Sequence, residues 1–171
     1  RIRLTPVDAN AFQARASYWL MKRDYERALR DGDEAIRLNP KDPDNWNTRG
    51  FAKQQAGDYG GAISDYSQAI KINPKAAGIF SNRGNAWQLK GDLTNALMDH
   101  DRAVALDPKD ATHWYNRAGA RREAGQLEAA LADARKAAAL APKLPQAHAE
   151  LGLIFRLKND LPRAMVAYDR A

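Results

Sequence analysis

The sequence offers few groups that could make or break bonds. Its histidines are His100, His113 and His148, and it has no cysteine. Thiol catalysis and disulfides are therefore excluded. A histidine acts as base, acid or metal ligand only beside a nucleophile, a carboxylate or further ligands. His100 and His148 have no clustered carboxylates at zinc-like spacing. No glycine-rich phosphate loop, Ser/His/Asp arrangement or paired-acid motif stands out. The reading is no catalytic residue, no metal site, no cofactor, and no enzyme within this stretch.

Charge is arranged more regularly. Arg15, Arg49, Arg83 and Arg117 are each followed 16 residues later by Asp31, Asp65, Asp99 and Asp133. At the next expected places both are lost together, as Leu151 and Ala167. A bare row of arginines would grip an anionic ligand. A matched carboxylate for each arginine points instead to structural ion pairs, within one helix pair or between neighbours. Truncating one partner would cost ~3–5 kcal/mol if the pair is buried, and about 0.2–1 kcal/mol if it is exposed.

The spacing of that series is the spacing of the whole chain. Stepping by 34 aligns Phe12, Trp46, Phe80, Trp114 and His148 at position 4 of a frame. Position 8 is small throughout: Ala16, Gly50, Gly84, Ala118 and Gly152. Position 20 is always alanine, from Ala28 to Ala164, and Pro6, Pro40, Pro74, Pro108 and Pro142 close the units. His100 falls at a packing position, so His100 and His148 read as substitutes for core aromatics. Each unit holds two stretches of helical periodicity. Gly57 stops the first helix and Asp58 caps the second, a cap repeated by Asp24, Asp92 and Asp160 and weakly by Gln126. Small residues at positions 8 and 20 let the two helices pack closely, and the pair buries its apolar face by stacking on its neighbours.

A 34-residue period with an aromatic, a small residue, Ala-x3-aromatic and a closing proline resembles the tetratricopeptide repeat family. The resemblance implies an all-α fold, a right-handed α-solenoid of antiparallel helix pairs. The units are 9–42, 43–76, 77–110, 111–144 and a truncated 145–171, in one continuous solenoid. Residues 1–8 read as the tail of a preceding second helix, so the chain reads as an excerpt of a longer array. Stopping at Ala171 is expected to leave an apolar face around Leu151, Leu153 and Phe155 uncapped, favouring self-association through the array ends. The net charge of +6 is scattered, with Arg121-Arg122 the longest basic cluster, so a solvated surface accounts for it better than a nucleic-acid site. No apolar run approaches membrane-spanning length. The compartment is not legible; the cytoplasm is the default.

The resemblance also implies where a partner sits. In the family the first helices line a concave face, and positions 2, 5, 6, 9, 12 and 13 meet a peptide. Carried over residue by residue, this gives candidate contacts at Asn47, Phe51, Gln54, Asn82, Asn85, Gln88, Tyr115, Asn116, Arg122 and Arg156. The amides suit a peptide backbone, Phe51 and Tyr115 would be apolar anchors, and Arg122 and Arg156 would face an acidic residue or terminus. The carboxylate clamp of chaperone-binding members is absent: Asn85 and Asn116 match it, but Ser81, Gln146 and Glu150 stand where cations are needed. The asparagine ladder of the O-linked N-acetylglucosamine transferase arm is matched only at Asn82 and Asn116. The expected function is a protein–protein interaction scaffold, with a substrate-recognition arm of a larger enzyme as the alternative and nucleic-acid binding third.

Overall fold

The computed structural model describes residues 8–171; the reading of residues 1–8 as a helix tail, and Pro6, fall almost wholly outside them. Among the described residues there are ten helices and no strand. They are α1 (Ala9–Met21), α2 (Tyr25–Leu38), α3 (Pro43–Gln55), α4 (Tyr59–Ile72), α5 (Ala77–Leu89), α6 (Leu93–Leu106), α7 (Ala111–Glu123), α8 (Leu127–Leu140), α9 (Pro145–Leu157) and α10 (Leu161–Tyr168). None is long and apolar enough to cross a membrane. The chain divides into two compact units, one running to Ala86 and one from Trp87. In the first, α1 packs on α2, α3 on α4, and α3 also against α1 and α2. In the second, α7 packs on α8 and α9 on α10, with α6 against α7, and α9 against both α7 and α8.

The alanine ladder is the core. Ala16, Ala28, Ala62, Ala118 and Ala130 are fully buried. Gly50 takes the alanine's place opposite the large Tyr66, because a Cβ there would lie 2.9 Å from the Tyr66 ring. Tyr66 is itself fully buried, and its hydroxyl donates to Gln54 Oε1 at 3.1 Å. The position-4 rings tie each pair to the loop before it. Trp46 Nε1 donates to Pro40 O and Trp114 Nε1 to Pro108 O, each at 2.9 Å. His148 Nε2 makes the same contact with Pro142 O at 2.9 Å, so it fills an aromatic place with a ring that keeps the hydrogen bond. Asn45 is fully buried; its amide donates to Ala35 O and Asn39 O, satisfying carbonyls at the end of α2.

The turn position between paired helices is left-handed in every pair, with Gly57, Gly91 and Gly125 joined by Arg23 (φ 57) and Asn159 (φ 58). The acidic residue after it caps the next helix. Asp24, Asp58, Asp92 and Asp160 accept from backbone N–H groups of Arg27, Gly61, Asn95 and Arg163 at 2.9–3.2 Å. Gln126 makes no such bond. Gln126→Asp should therefore raise stability by ~0.5–2 kcal/mol, read as a higher denaturant midpoint at unchanged m; an unchanged midpoint would show that the cap is already satisfied by solvent.

The expectation of an uncapped apolar face at Leu151, Leu153 and Phe155 is corrected. Leu151 and Phe155 are buried in a cluster with Ala130, Leu131, Ile154, Ala164 and Ala167, covered by α8 and α10. The large apolar groups exposed near this end are Leu157, Leu161, Met165, Val166 and Tyr168.

Candidate functional site

Arg49 donates from Nε and Nη2 to the two carboxylate oxygens of Asp65, both at 2.7 Å. Lys53 Nζ lies 2.9 Å from the same carboxylate, and Arg49 Nη1 reaches back to Asp33 at 2.7 Å. The Asp65 side chain is 3 % exposed and that of Arg49 17 %. The guanidinium also lies 5.1 Å over the Trp46 ring. The hydrogen bond to Asp65 holds the guanidinium still more firmly cationic than usual, against its desolvation. The fourth pair repeats the arrangement: Arg117 binds Asp133 at 2.7 and 2.8 Å and Asp101 at 2.8 Å, and Arg121 adds a bond to Asp133 at 2.8 Å. In the first pair Arg15 binds Asp31 twice at 2.7 Å, and Trp19 Nε1 completes the carboxylate at 3.1 Å. Arg83 Nη1 donates to Ser67 Oγ at 3.0 Å and stacks on Phe80, while Asp99 is buried on α6.

Arg15, Arg49 and Arg117 thus spend donors on carboxylates of their own chain, which leaves no bare arginine row. The outer partners were missed from sequence. Their signal was present, because Asp33 and Asp101, and Lys53 and Arg121, also recur two units apart.

The candidate peptide residues separate into two groups. In the first unit, Ser17, Leu20 and Met21 of α1, Asn47, Thr48 and Phe51 of α3, and Asn82 of α5 line a groove of about 360 Å³. Met21 is 84 % exposed and Phe51 38 %, so the groove has an apolar rim. Its polar floor is partly self-paired. Asn82 Nδ2 donates to Asn47 Oδ1 at 3.0 Å, and Gln13 Nε2 to Thr48 Oγ1 at 3.3 Å, each joining helices of neighbouring pairs. That bond uses neither the Asn47 amino group nor the Asn82 carbonyl oxygen. Gln54 is spent on Tyr66. Asn85 is half-buried on α5.

In the second unit, Gln88, Tyr115 and Asn116 are half-buried. Burial pushes the Tyr115 phenol up, and the nearby Glu150 adds to it. The reading of Arg122 as a cation open to a ligand is corrected: its Nε donates to Glu150 Oε1 at 2.6 Å, and the Glu150 side chain is 5 % exposed. A buried carboxylate needs a partner, and Arg122 supplies it. Arg156 alone of the two is exposed.

Among the described residues, one group could hold a cation. Ligand atoms of Asp107, Asp110 and His113 lie within 4.8 Å of one another. Both carboxylates are already engaged locally: Asp107 accepts from Lys109 N–H at 3.1 Å, and Asp110 caps α7 through Thr112 N–H at 2.8 Å. The cluster is a turn and a cap.

Stacked helix pairs of this kind define a class of protein-interaction scaffolds, typically without catalysis of their own. Two tetratricopeptide repeat family models match the sequence, over residues 14–83 and 99–145. The chain belongs to the tetratricopeptide repeat family. No curated protein matches it. Among solved structures it is similar to MamA of Desulfovibrio magneticus (24 % identity, 98 % of this chain and 94 % of that one, TM-score 0.80). It is similar to a thermophilic repeat protein of Thermus thermophilus (20 %, 95 % and 89 %, TM-score 0.83). It also resembles YrrB, described as having an unusual peptide-binding site (20 %, 95 % and 84 %, TM-score 0.70). These likenesses establish the fold as a solenoid of helix pairs.

Proposed function

We propose that this chain is an interaction scaffold that holds an extended segment of a partner protein against α1, α3 and α5. The observation that carries this reading is the groove of Leu20, Met21, Asn47, Phe51 and Asn82. It pairs exposed apolar side chains with amides that have donors and an acceptor to spare. An extended peptide presents the complementary set: a backbone C=O and N–H for the amides, and an apolar side chain for the Met21–Phe51 rim. Because the amides recognise backbone, selectivity would come from the apolar side chain. The peptide-binding site described for YrrB supports the reading by analogy.

Panning a random dodecamer display library on the chain tests it. Enriched peptides should carry a large apolar residue, and Phe51→Ala/Asn82→Ala should weaken them by about 30-fold or more, the loss of one interface hot spot. Peptides that bind the double variant as tightly as the wild type, with both equally folded by circular dichroism, would remove the groove from the function.

A further inference from the structure

A second groove lies in the second unit, and its charges differ from those at the same place one pair earlier. It runs between α8 and α10 with α9 as its floor, and encloses about 730 Å³. One pair earlier, the corresponding positions hold the network of Arg117 and Arg121 with Asp101 and Asp133. In the last pair all four positions have changed. Arg117 corresponds to Leu151, Arg121 to Phe155, Asp133 to Ala167 and Asp101 to Arg135. The ion-pair network is replaced by an apolar floor, and an acidic rim position by a cationic one.

The rest of the rim follows the same trend. Arg135, Lys143, Arg163 and Arg170 line the groove together with the exposed Val166, and no aspartate or glutamate is among the lining residues. Arg135 and Arg163 flank the Phe155 ring, at 5.9 and 5.2 Å from its centroid. Their neighbouring acids are engaged at the edges: Asp160 caps α10 and pairs with Arg163, and Glu128 is bound by Lys158. The inner positions Leu151 and Ala167 close into an apolar contact, while the rim above them keeps cations without the aspartate that stands at Asp101 one pair earlier.

We propose that this groove is a second docking site, for a partner-protein segment that carries acidic side chains beside large apolar ones. The apolar side chains would fill the trough over Leu151 and Phe155, and the carboxylates would meet Arg135, Lys143 and Arg170, since Arg163 is already paired with Asp160. Charge complementarity selects an acidic occupant, and the volume lies within the range of sites that take a few side chains. The site is distinct from the amide-lined groove of the first unit and does not depend on it.

The test rebuilds the missing network. The triple variant Arg135→Asp/Leu151→Arg/Ala167→Asp installs the charges that the preceding pair already folds with. Arg135→Glu/Lys143→Glu, confined to exposed side chains, guards against a folding defect. A dodecamer display library panned on the wild type, with the Phe51→Ala/Asn82→Ala chain as a parallel bait, should yield peptides rich in Asp or Glu and in Leu, Phe or Trp. These should bind both baits alike, weaken at least 10-fold on the two groove variants, and weaken further as salt rises through the physiological range. Three outcomes would overturn the proposal: no peptide separates wild type from the groove variants; only anionic phosphatidylglycerol vesicles do; or the variants merely abolish self-association seen by sedimentation. Loss of the acidic peptides on Phe51→Ala/Asn82→Ala instead would assign them to the first groove and equally overturn it.

Discussion

Arg49→Leu should destabilise the first unit by ~3–5 kcal/mol, whereas Arg49→Leu combined with Asp65→Ala should cost far less than the sum of the two single changes. The reason lies in what each change leaves behind. Asp65 is almost completely buried and receives two bonds from Arg49 and one from Lys53. Without Arg49, a desolvated carboxylate is held by Lys53 alone. Without either partner, Lys53 and the exposed Asp33 can turn to water, and a leucine beside an alanine closes over an apolar contact. The last pair is that replacement in nature: Leu151 and Ala167 sit in one core cluster with Ile154 and Phe155. Urea melts of wild type, both single variants and the double variant give the coupling directly. Two single costs below about 1 kcal/mol that simply add would mean the pair behaves as a surface bridge despite its burial. Arg15, with its side chain 57 % exposed, is the contrasting case and should tolerate Arg15→Leu better.

The same comparison shows what could be read without a structure. The helix-pair repeat was legible because it is written five times: caps, turn glycines, alanine ladder and closing prolines each recur at one spacing. The inner Arg–Asp partners were legible for a different reason, because they vanish together in the last unit. Properties that depend on one unit alone were harder. Arg122 and Arg156 look equivalent in the sequence, yet the carboxylate that occupies Arg122 comes from Glu150, 28 residues on, at a place where other units carry Thr48, Asn82 or Asn116. Likewise Leu151 and Phe155 read as a bare end because the cover from α8 and α10 is a tertiary matter. The second groove was present as three departures, Leu151, Ala167 and Arg135, beside an aromatic Phe155 that Trp19 and Trp87 match, but only their convergence on one trough gives them a common meaning.

His100 carries the second large effect. It is fully buried, and neither ring nitrogen has a hydrogen-bond partner in the chain. Burial pulls its imidazole down from 6.5 to about 4, and the nearby His113 and Arg117 reinforce that shift while Asp101 opposes it. The folded protein therefore refuses a proton that the unfolded chain accepts below pH 6.5. Stability is complete above that pH, falls as pH drops from about 6.5 to about 4, and is flat with respect to this group beyond either limit; across the window it amounts to ~3 kcal/mol. Carboxylates begin to titrate in the lower half, so the clean interval is pH 6.5 to 5, where the wild type should lose ~2 kcal/mol. His100→Phe should abolish most of that slope. His100→Tyr should do the same and gain a bond as well, because Tyr66 at the equivalent place donates to Gln54, and Gln88 stands at that position one unit on. Urea melts at pH 6.5, 5.7 and 5.0 would decide it. If the wild type and both variants keep parallel profiles, the imidazole is taking up its proton in the folded state, and a carboxylate or water must reach it inside the core.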